Sequence, residues 1–283
     1  MFIGMVGGII WLGVSFANGK WDAEPLVLAV GPSRVTVDLE ITATVPNVPQ
    51  NVLLTSNYDY EINQTSADRV VTVRSFSTEV RKGLLSLPTT LECNQHSATL
   101  STGLGKGQEF TPTTAPPNVR ELMQCLGEPL YRVPVSSEAI GPPEIILQGP
   151  QQTGRDAGNI QMLTAFVHAP FATNVESWRL SPTWAFQESA DVSGDLLFSR
   201  ESNVGDEVPV QVEGVLKRLT NLHLGGVTLA RLTATVNGSL TYSTSLNQWK
   251  SGELDLSVSA RDPKSSAQIT IPVKLSFTTA SID

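Results

Sequence analysis

The chain has few of the residues that build metal-binding or catalytic sites. Its 283 residues include two cysteines and three histidines, and His96, His168 and His223 each stand alone, with no other ligand residue at an established spacing. Zinc sites need Cys and His at short, regular separations, so no metal site is predicted. Esterase elbows, HExxH helices, EF-hand loops, phosphate loops and dinucleotide glycine patterns are also absent from the sequence. We therefore predict no catalytic residue and no cofactor.

Charged side chains are scarce as well. They make up 16% of the residues, below the roughly 25% of ordinary soluble proteins, and the net charge is -8. Lysine and arginine form no cluster that could neutralise a run of phosphates, which argues against nucleic acids and anionic membrane surfaces as partners. Ser, Thr, Asn and Gln supply much of the polar surface instead, a composition common in exported β proteins.

Long hydrophobic runs are missing except at the start of the chain. Residues 1–17 are apolar or small and carry no charge, but a transmembrane helix needs about 20 such residues. The length suits the apolar region of a secretory signal, and Ser15 and Ala17 are small residues at the -3 and -1 positions of a cleavage site. No basic residue precedes this region. We expect an exported protein (periplasmic, cell envelope or secreted) in which residues 1–17 are a cleaved signal or an uncleaved membrane anchor; a buried strand or helix is the alternative.

The two cysteines, Cys93 and Cys125, suit either of two roles. In an exported protein a pair of this kind is compatible with a disulfide that closes a loop of about 30 residues, worth roughly 3–4 kcal/mol. The alternative is two small, buried, apolar side chains. Export would favour the disulfide.

What the sequence has in abundance is alternation. Apolar and polar side chains alternate through residues 35–45 and again through residues 254–260 and 267–277. Because successive side chains of a strand point to opposite faces, this period indicates strands with one buried and one wet face, as in antiparallel sheets. The sequence predicts a mainly β protein with large antiparallel sheets, as two meander blocks that form a curved sheet, half-barrel or sandwich. Val37 and Leu39 should face the core or a ligand, and Asp38 and Glu40 the solvent.

Breaker residues divide the chain into parts. After the leader, we place an N-terminal β block at 26–85, an irregular connecting region at 86–157, and a C-terminal β block at 158–283 that begins with a strand near 160–167. The two blocks could also form one continuous domain. One short helix is predicted near 118–127 within the irregular region. Its apolar stripe, flanked by Pro117 and Gly127, consists of Val119, Leu122, Met123 and Leu126. Such a short helix must dock on the rest of the protein to be stable.

Three tryptophans are candidate binding residues. Trp178, Trp184 and Trp249 lie in the C-terminal β block. They suit either of two roles: anchors of the core, or the lining of a groove for an apolar ligand on a curved sheet.

Two short motifs carry a family resemblance. Residues 174–178, N-V-E-S-W, resemble a V-G-[DE]-x-W element, and Tyr242 followed by residues 251–254, S-G-E-L, resembles a Y-x-[ST]…[ST]-G-x-L hairpin. Both elements are associated with uncharacterised exported β-rich proteins of planctomycetes and related bacteria. The resemblance implies an exported β protein, and it implies no catalytic residue.

Three hypotheses for function follow. The first is a non-catalytic exported protein of the bacterial cell envelope that binds a lipid-like or other apolar small molecule on a curved sheet, with the short helix as plug or lid. The second is a structural or protein-interaction module of the envelope with a closed core. The third, an enzyme, lacks any visible site. An apolar cavity would favour the first hypothesis, and a densely packed core the second.

Overall fold

The computed structural model describes residues 14–20, 26, 30–44, 51–83, 87–103, 105–141, 143–146, 165–180, 193–219, 222–224, 227–229, 232–261 and 268–282. Its elements in chain order are β1 (Val14–Lys20), β2 (Gly31–Thr44), β3 (Asn51–Gln64), β4 (Asp68–Lys82), β5 (Thr89–Asn94), β6 (Ala98–Thr102), β7 (Gln108–Phe110), α1 (Pro117–Cys125), β8 (Pro129–Pro134), β9 (Ala139–Ile140), β10 (Glu144–Ile145), a 3₁₀ helix (Ala165–His168), β11 (Phe171–Ala172), β12 (Val175–Leu180), β13 (Ser193–Arg200), β14 (Glu207–Leu219), β15 (Leu222–Leu224), β16 (Val227–Leu229), β17 (Leu232–Ser243), β18 (Gln248–Arg261) and β19 (Gln268–Ile282).

One large antiparallel sheet dominates the fold, as the alternation predicts. Its strand order is β1-β12-β13-β14-β17-β18-β19-β2-β3-β4-β5-β6-β7, and β8 pairs with β4 and β10. The long strand β19 pairs with β2, which joins the N-terminal and C-terminal blocks in a single hydrogen-bonded sheet. The two ends of this path, β1 and β7, are not paired with each other, so the sheet is open.

The alternation assigns the two faces of the sheet correctly. Val37 and Leu39 are buried, and Asp38 and Glu40 are exposed. We call the face that carries Val37 and Leu39 the inner face, and the opposite one the outer face. Charged residues of the outer face pair across strands, as Arg34 does with Asp59. The period of two therefore determines which side chains lie inside.

The inner face is covered by the protein's own chain. Residues 165–172, which we call the inner segment, lie on it, and His168 and Phe171 are both buried. The His168 ring contacts Tyr60 of β3, with ring centroids 5.5 Å apart. The Phe171 ring contacts Trp178 of β12, with centroids 5.8 Å apart. One short segment thus touches strands from both blocks.

These two contacts show that the sheet is strongly curved. Seven interstrand spacings separate β12 from β3, a distance of about 33 Å in a flat sheet. His168 and Phe171 are only three residues apart and can span at most about 11 Å. The sheet must therefore curl around the inner segment, in agreement with the predicted curved sheet.

Two glycines occupy inward positions where neighbouring strands approach closely. Gly214 of β14 and Gly238 of β17 stand in the register of buried apolar neighbours. A Cβ atom on either would lie 2.1 Å from a carbonyl oxygen of the adjacent strand, that of Asp195 or Glu253 respectively. The backbones approach so closely that a side chain has no room, and only glycine fits.

The predicted helix is present as α1 and docks through the expected stripe. Val119, Leu122, Met123 and Leu126 are all buried. The helix begins with Pro117 at its first turn, and Gly127 follows it with a φ of 83°. The Gly127 amide donates to the Val73 carbonyl oxygen of β4 at 2.8 Å, which fixes the end of the helix to the sheet. No helix in the described parts of the chain is long and apolar enough to cross a membrane.

Two predictions, the strand near 160–167 and the signal or anchor at 1–17, fall partly outside the described residues. The strand expected near 160–167 is wrong for residues 165–167, which belong to a 3₁₀ helix (Ala165–His168). This segment packs across the inner face and does not pair with a described strand. Residues 160–164 lie outside the described part. Residues 1–13 of the predicted signal or anchor also lie outside it. The last four residues of that predicted segment, 14–17, belong to β1 (Val14–Lys20) and pair with β12, which matches the strand alternative for this part of it.

Candidate functional site

A cluster of buried polar side chains lies on the inner face at one end of the sheet. It contains Gln64, Arg69, His168, Tyr242 and Asn247. The turn between β3 and β4 places the first two: the Thr65 hydroxyl accepts the amides of Ala67 and Asp68, at 3.3 and 3.0 Å. This turn makes Gln64 and Arg69 direct cross-strand partners. The other three residues come from the β17–β18 hairpin and the inner segment.

Arg69 is the centre of the cluster. Its side chain is 7% exposed, and its Nε donates to Gln64 Oε1 at 2.9 Å. Its Nη2 donates to the main-chain oxygen of Asn247 at 2.6 Å. Asn247 has a φ of 52°, a left-handed conformation that asparagine tolerates in turns. Burial lowers the pKa of Arg69, yet a guanidinium stays charged in proteins, so the cluster carries a positive charge.

His168 is held neutral beside this charge. Its ring contacts Tyr60 edge-on and the tilted ring of Tyr131, with centroids 5.5 Å away in each case. Burial, and then the positive charge of Arg69, lowers the pKa of His168 to about 3. The histidine is therefore uncharged at neutral pH and does not bind an acidic group as a cation.

Tyr242 closes the other side of the cluster. Its ring stacks on Phe171 with centroids 3.8 Å apart and an angle of 7° between the planes. Burial raises its pKa, an effect that Arg69 partly opposes. Tyr242 thus keeps its proton and can donate a hydrogen bond, but it is a poor general base.

The predicted tryptophan sites lie in the core around Phe171. Trp178 and Trp249 are buried, 1% and 2% exposed, and both contact the Phe171 ring edge-on. Trp249 Nε1 donates to the Ala169 carbonyl oxygen at 2.7 Å, which fixes the inner segment to β18. Trp184, the third candidate, lies outside the described residues.

The predicted disulfide is not formed. Cys93 in β5 and Cys125 at the end of α1 are free, buried thiols. Burial raises the pKa of Cys93 to about 12 and also raises the pKa of Cys125, with a further contribution from the charge of Glu121. Because the thiolate is the species that forms disulfides, both side chains are in unreactive surroundings. They act as small apolar residues, the alternative that the sequence analysis left open.

Two grooves open chiefly on the outer face rather than on the inner one. The larger, of about 390 Å³, is lined by residues that include Arg179, Asp195, Glu213 and Asn237. The smaller, of about 260 Å³, is lined largely by hydroxyl and amide side chains and by Glu92. The smaller lining is polar, and the larger one mixes its charged and amide side chains with Leu197, Val215 and Val236, so neither is a purely apolar site. The described residues contain no group of His, Cys, Asp and Glu that could hold a metal ion.

Sequence reasoning missed the polar cluster. From the sequence, His168 stands as an isolated residue, Tyr242 is notable only as part of a short motif, and neither Gln64 nor Arg69 stands out. One signal was available: Tyr58, Tyr60 and Ile62 define the inward register of β3, and Gln64 continues that register with a polar side chain. A polar residue in an apolar register next to a turn indicates a buried polar site, but its partners from other strands are invisible in the sequence.

Comparison with known proteins gives no family. No protein-family model matches the chain, and no curated protein matches it significantly. Among solved structures, the crystal structure of the botulinum neurotoxin serotype C1 binding domain aligns with 89% of this chain and 84% of its own, at 8% identity and a TM-score of 0.14. A similarity of that size supports no statement about fold or function.

Proposed function

We propose that this protein is a non-catalytic, exported component of the bacterial cell envelope that acts as a structural or protein-interaction module with a closed core. The observation that carries the proposal is the position of the inner segment. An apolar ligand on the curved sheet would need the place that Phe171 and its neighbours occupy. The protein's own chain fills that place and is fixed there by the bond from Trp249 to Ala169.

The aromatic contacts support a core over a ligand site. Phe171 stacks on Tyr242 and meets Trp178 and Trp249 edge-on, geometries typical of well-packed aromatic cores. Trp178 stacks in turn on Phe198 at 5.3 Å. Truncation of Phe171 to alanine would cost about 3–5 kcal/mol, as expected for a core residue.

Export is supported by composition and by the start of the chain. The low content of charged residues, the polar side chains rich in hydroxyl and amide groups, and the uncharged residues 1–13 ahead of β1 are all common in exported β proteins. The motifs near Trp178 and Tyr242 that resemble planctomycete exported proteins point the same way.

Native mass spectrometry of the full chain, purified from its own host, tests the closed core. We expect the native mass to equal that of the polypeptide, with no difference after delipidation. A bound lipid lost on delipidation would contradict the closed core and return support to the carrier hypothesis. Fractionation of the host cells tests export separately: recovery in the cytosol would reject it.

A further inference from the structure

A buried cation without a counter-charge lies at the centre of the polar cluster. Both hydrogen bonds of Arg69 go to neutral oxygens, those of Gln64 and the Asn247 main chain. No carboxylate in the described part of the chain forms an ion pair with it. An uncompensated buried charge is strongly unfavourable, and proteins normally pair such a charge or neutralise it.

Three polar atoms near Arg69 also have no hydrogen-bond partner in the described residues. They are Gln64 Nε2, His168 Nε2 and Tyr242 Oη. Gln64 bonds Arg69 through its other amide atom, and the charge of Arg69 shifts the pKa values of both His168 and Tyr242. Since buried polar groups nearly always bond protein or ordered water, unbonded groups around one cation indicate a bound water or small solute.

The chemistry of these groups selects the charge of the solute. The guanidinium, the Gln64 NH₂ and the Tyr242 hydroxyl can all donate hydrogen bonds, and neutral His168 can donate when its proton is on Nε2. Donors gathered around a positive charge are the usual surroundings of an anion. A single cation balances a single negative charge, and aromatic rings pack against two members of the cluster, His168 and Tyr242, which favours a small ion over a bulky one.

We propose that the cluster binds a small monovalent anion, a halide or a carboxylate of the size of formate, on the Arg69 guanidinium, with Gln64 Nε2 and Tyr242 Oη as further donors. The site lies next to turns whose residues 65–67 and 245–246 are exposed, so solvent is close to it in the chain. This proposal is independent of the proposed function, because a structural protein or a carrier could hold the ion.

Thermal unfolding of the full chain in different sodium salts tests the site. Ionic strength is kept constant with sodium isethionate, whose anion is too bulky for the cluster, while chloride, bromide or formate replaces it. We expect a saturating rise in Tm of about 5 °C with a small anion. A rise with halides alone identifies a halide site, and a rise with formate alone a carboxylate site. Equal Tm values in all salts would overturn the proposal, and water would then be the partner of these polar groups.

A variant that supplies its own anion sharpens the test. Gln64→Glu places a carboxylate beside Arg69 Nε, so we expect this variant to lose the dependence of Tm on chloride and to gain stability in isethionate. Gln124→Glu, the same change on the exposed surface of α1, should respond to chloride as the wild type does. If Gln64→Glu folds and keeps the full chloride response, the anion is not at Arg69.

Crystals of the wild-type protein soaked in bromide give a test that needs no variant. We expect an anomalous peak within hydrogen-bonding distance of the Arg69 guanidinium nitrogens. Bromide found only elsewhere, with the cluster occupied by water, would overturn the proposal even if the variant fails to fold.

Discussion

Replacement of Gly238 by alanine tests the origin of the curvature. The added Cβ would lie 2.1 Å from the Glu253 carbonyl oxygen and 2.8 Å from the Leu254 Cα. The first distance falls about 1.3 Å short of an ordinary 3.4 Å contact. Both neighbouring atoms belong to the backbone of β18, so no change of rotamer relieves the contact. Strands β17 and β18 would have to separate or lose part of the bend.

The expected loss of stability is about 2 kcal/mol. Overpacking of a well-packed interior costs typically 1–3 kcal/mol, and backbone neighbours that cannot rotate away place Gly238 towards the upper end. Alanine also reduces the entropy of the unfolded chain, which returns about 0.4–1 kcal/mol. For a chain of this size the net change corresponds to a decrease in Tm of roughly 4–8 °C.

Urea unfolding followed by tryptophan fluorescence measures the effect, because Trp178 and Trp249 are buried and report the core. Gly105→Ala is the matched control: its nearest neighbour, the Thr102 carbonyl oxygen, would lie 3.8 Å from the new Cβ. We expect the control to stay within about 0.5 kcal/mol of the wild type. If Gly238→Ala is as stable as Gly105→Ala, the close approach of β17 and β18 does not require glycine at position 238.

The buried titratable groups give two further predictions. His168 is neutral in the folded protein with a pKa of about 3, against 6.5 when unfolded. Its contribution to the free energy of unfolding is therefore complete above pH 6.5. This contribution is lost as the pH falls towards 3, by up to about 5 kcal/mol. His168→Phe keeps the ring contacts with its tyrosine neighbours and should flatten urea-unfolding stability over this pH range, whereas an unchanged slope would assign the acid sensitivity to other groups. For Cys93 and Cys125, we expect slow reaction with a thiol reagent in the native state and two reactive thiols in unreduced, denatured protein. The absence of reactive thiols after denaturation would show that the protein made by its host carries the disulfide after all.

Much of the fold was predictable because its signals are local. The side-chain period of a strand is set by backbone geometry, so residues 35–45 identify an antiparallel strand and its buried face without any neighbour. The same holds for α1, whose stripe from Val119 to Leu126 follows from helical spacing alone. The strand expected near 160–167 failed because an apolar run also suits a segment that crosses a sheet, and the run itself does not state whether a neighbouring strand is available.

The polar cluster could not be predicted, because Gln64 and Arg69 of the β3–β4 hairpin meet His168, Tyr242 and Asn247 only through the curvature. Arg69 and Asn247 are 178 residues apart in the chain, and four strands of the sheet order lie between β4 and β17. Nothing in the local sequence of either residue specifies the other. The cysteines show the same limit, since their number and their context favoured a bridge and burial in separate elements left them as free thiols.

By itself, the sequence determined that this is an antiparallel β protein, which side chains face inwards, and where its short helix begins and ends. The tertiary structure decided what the inner face meets: residues 165–172 of the same chain, packed on the aromatic rings of both blocks. The physical reason is one of range. Alternation reflects the geometry of one strand over a few residues, whereas the curl depends on β19 pairing with β2, on glycines that let strands approach, and on contacts between residues more than a hundred positions apart.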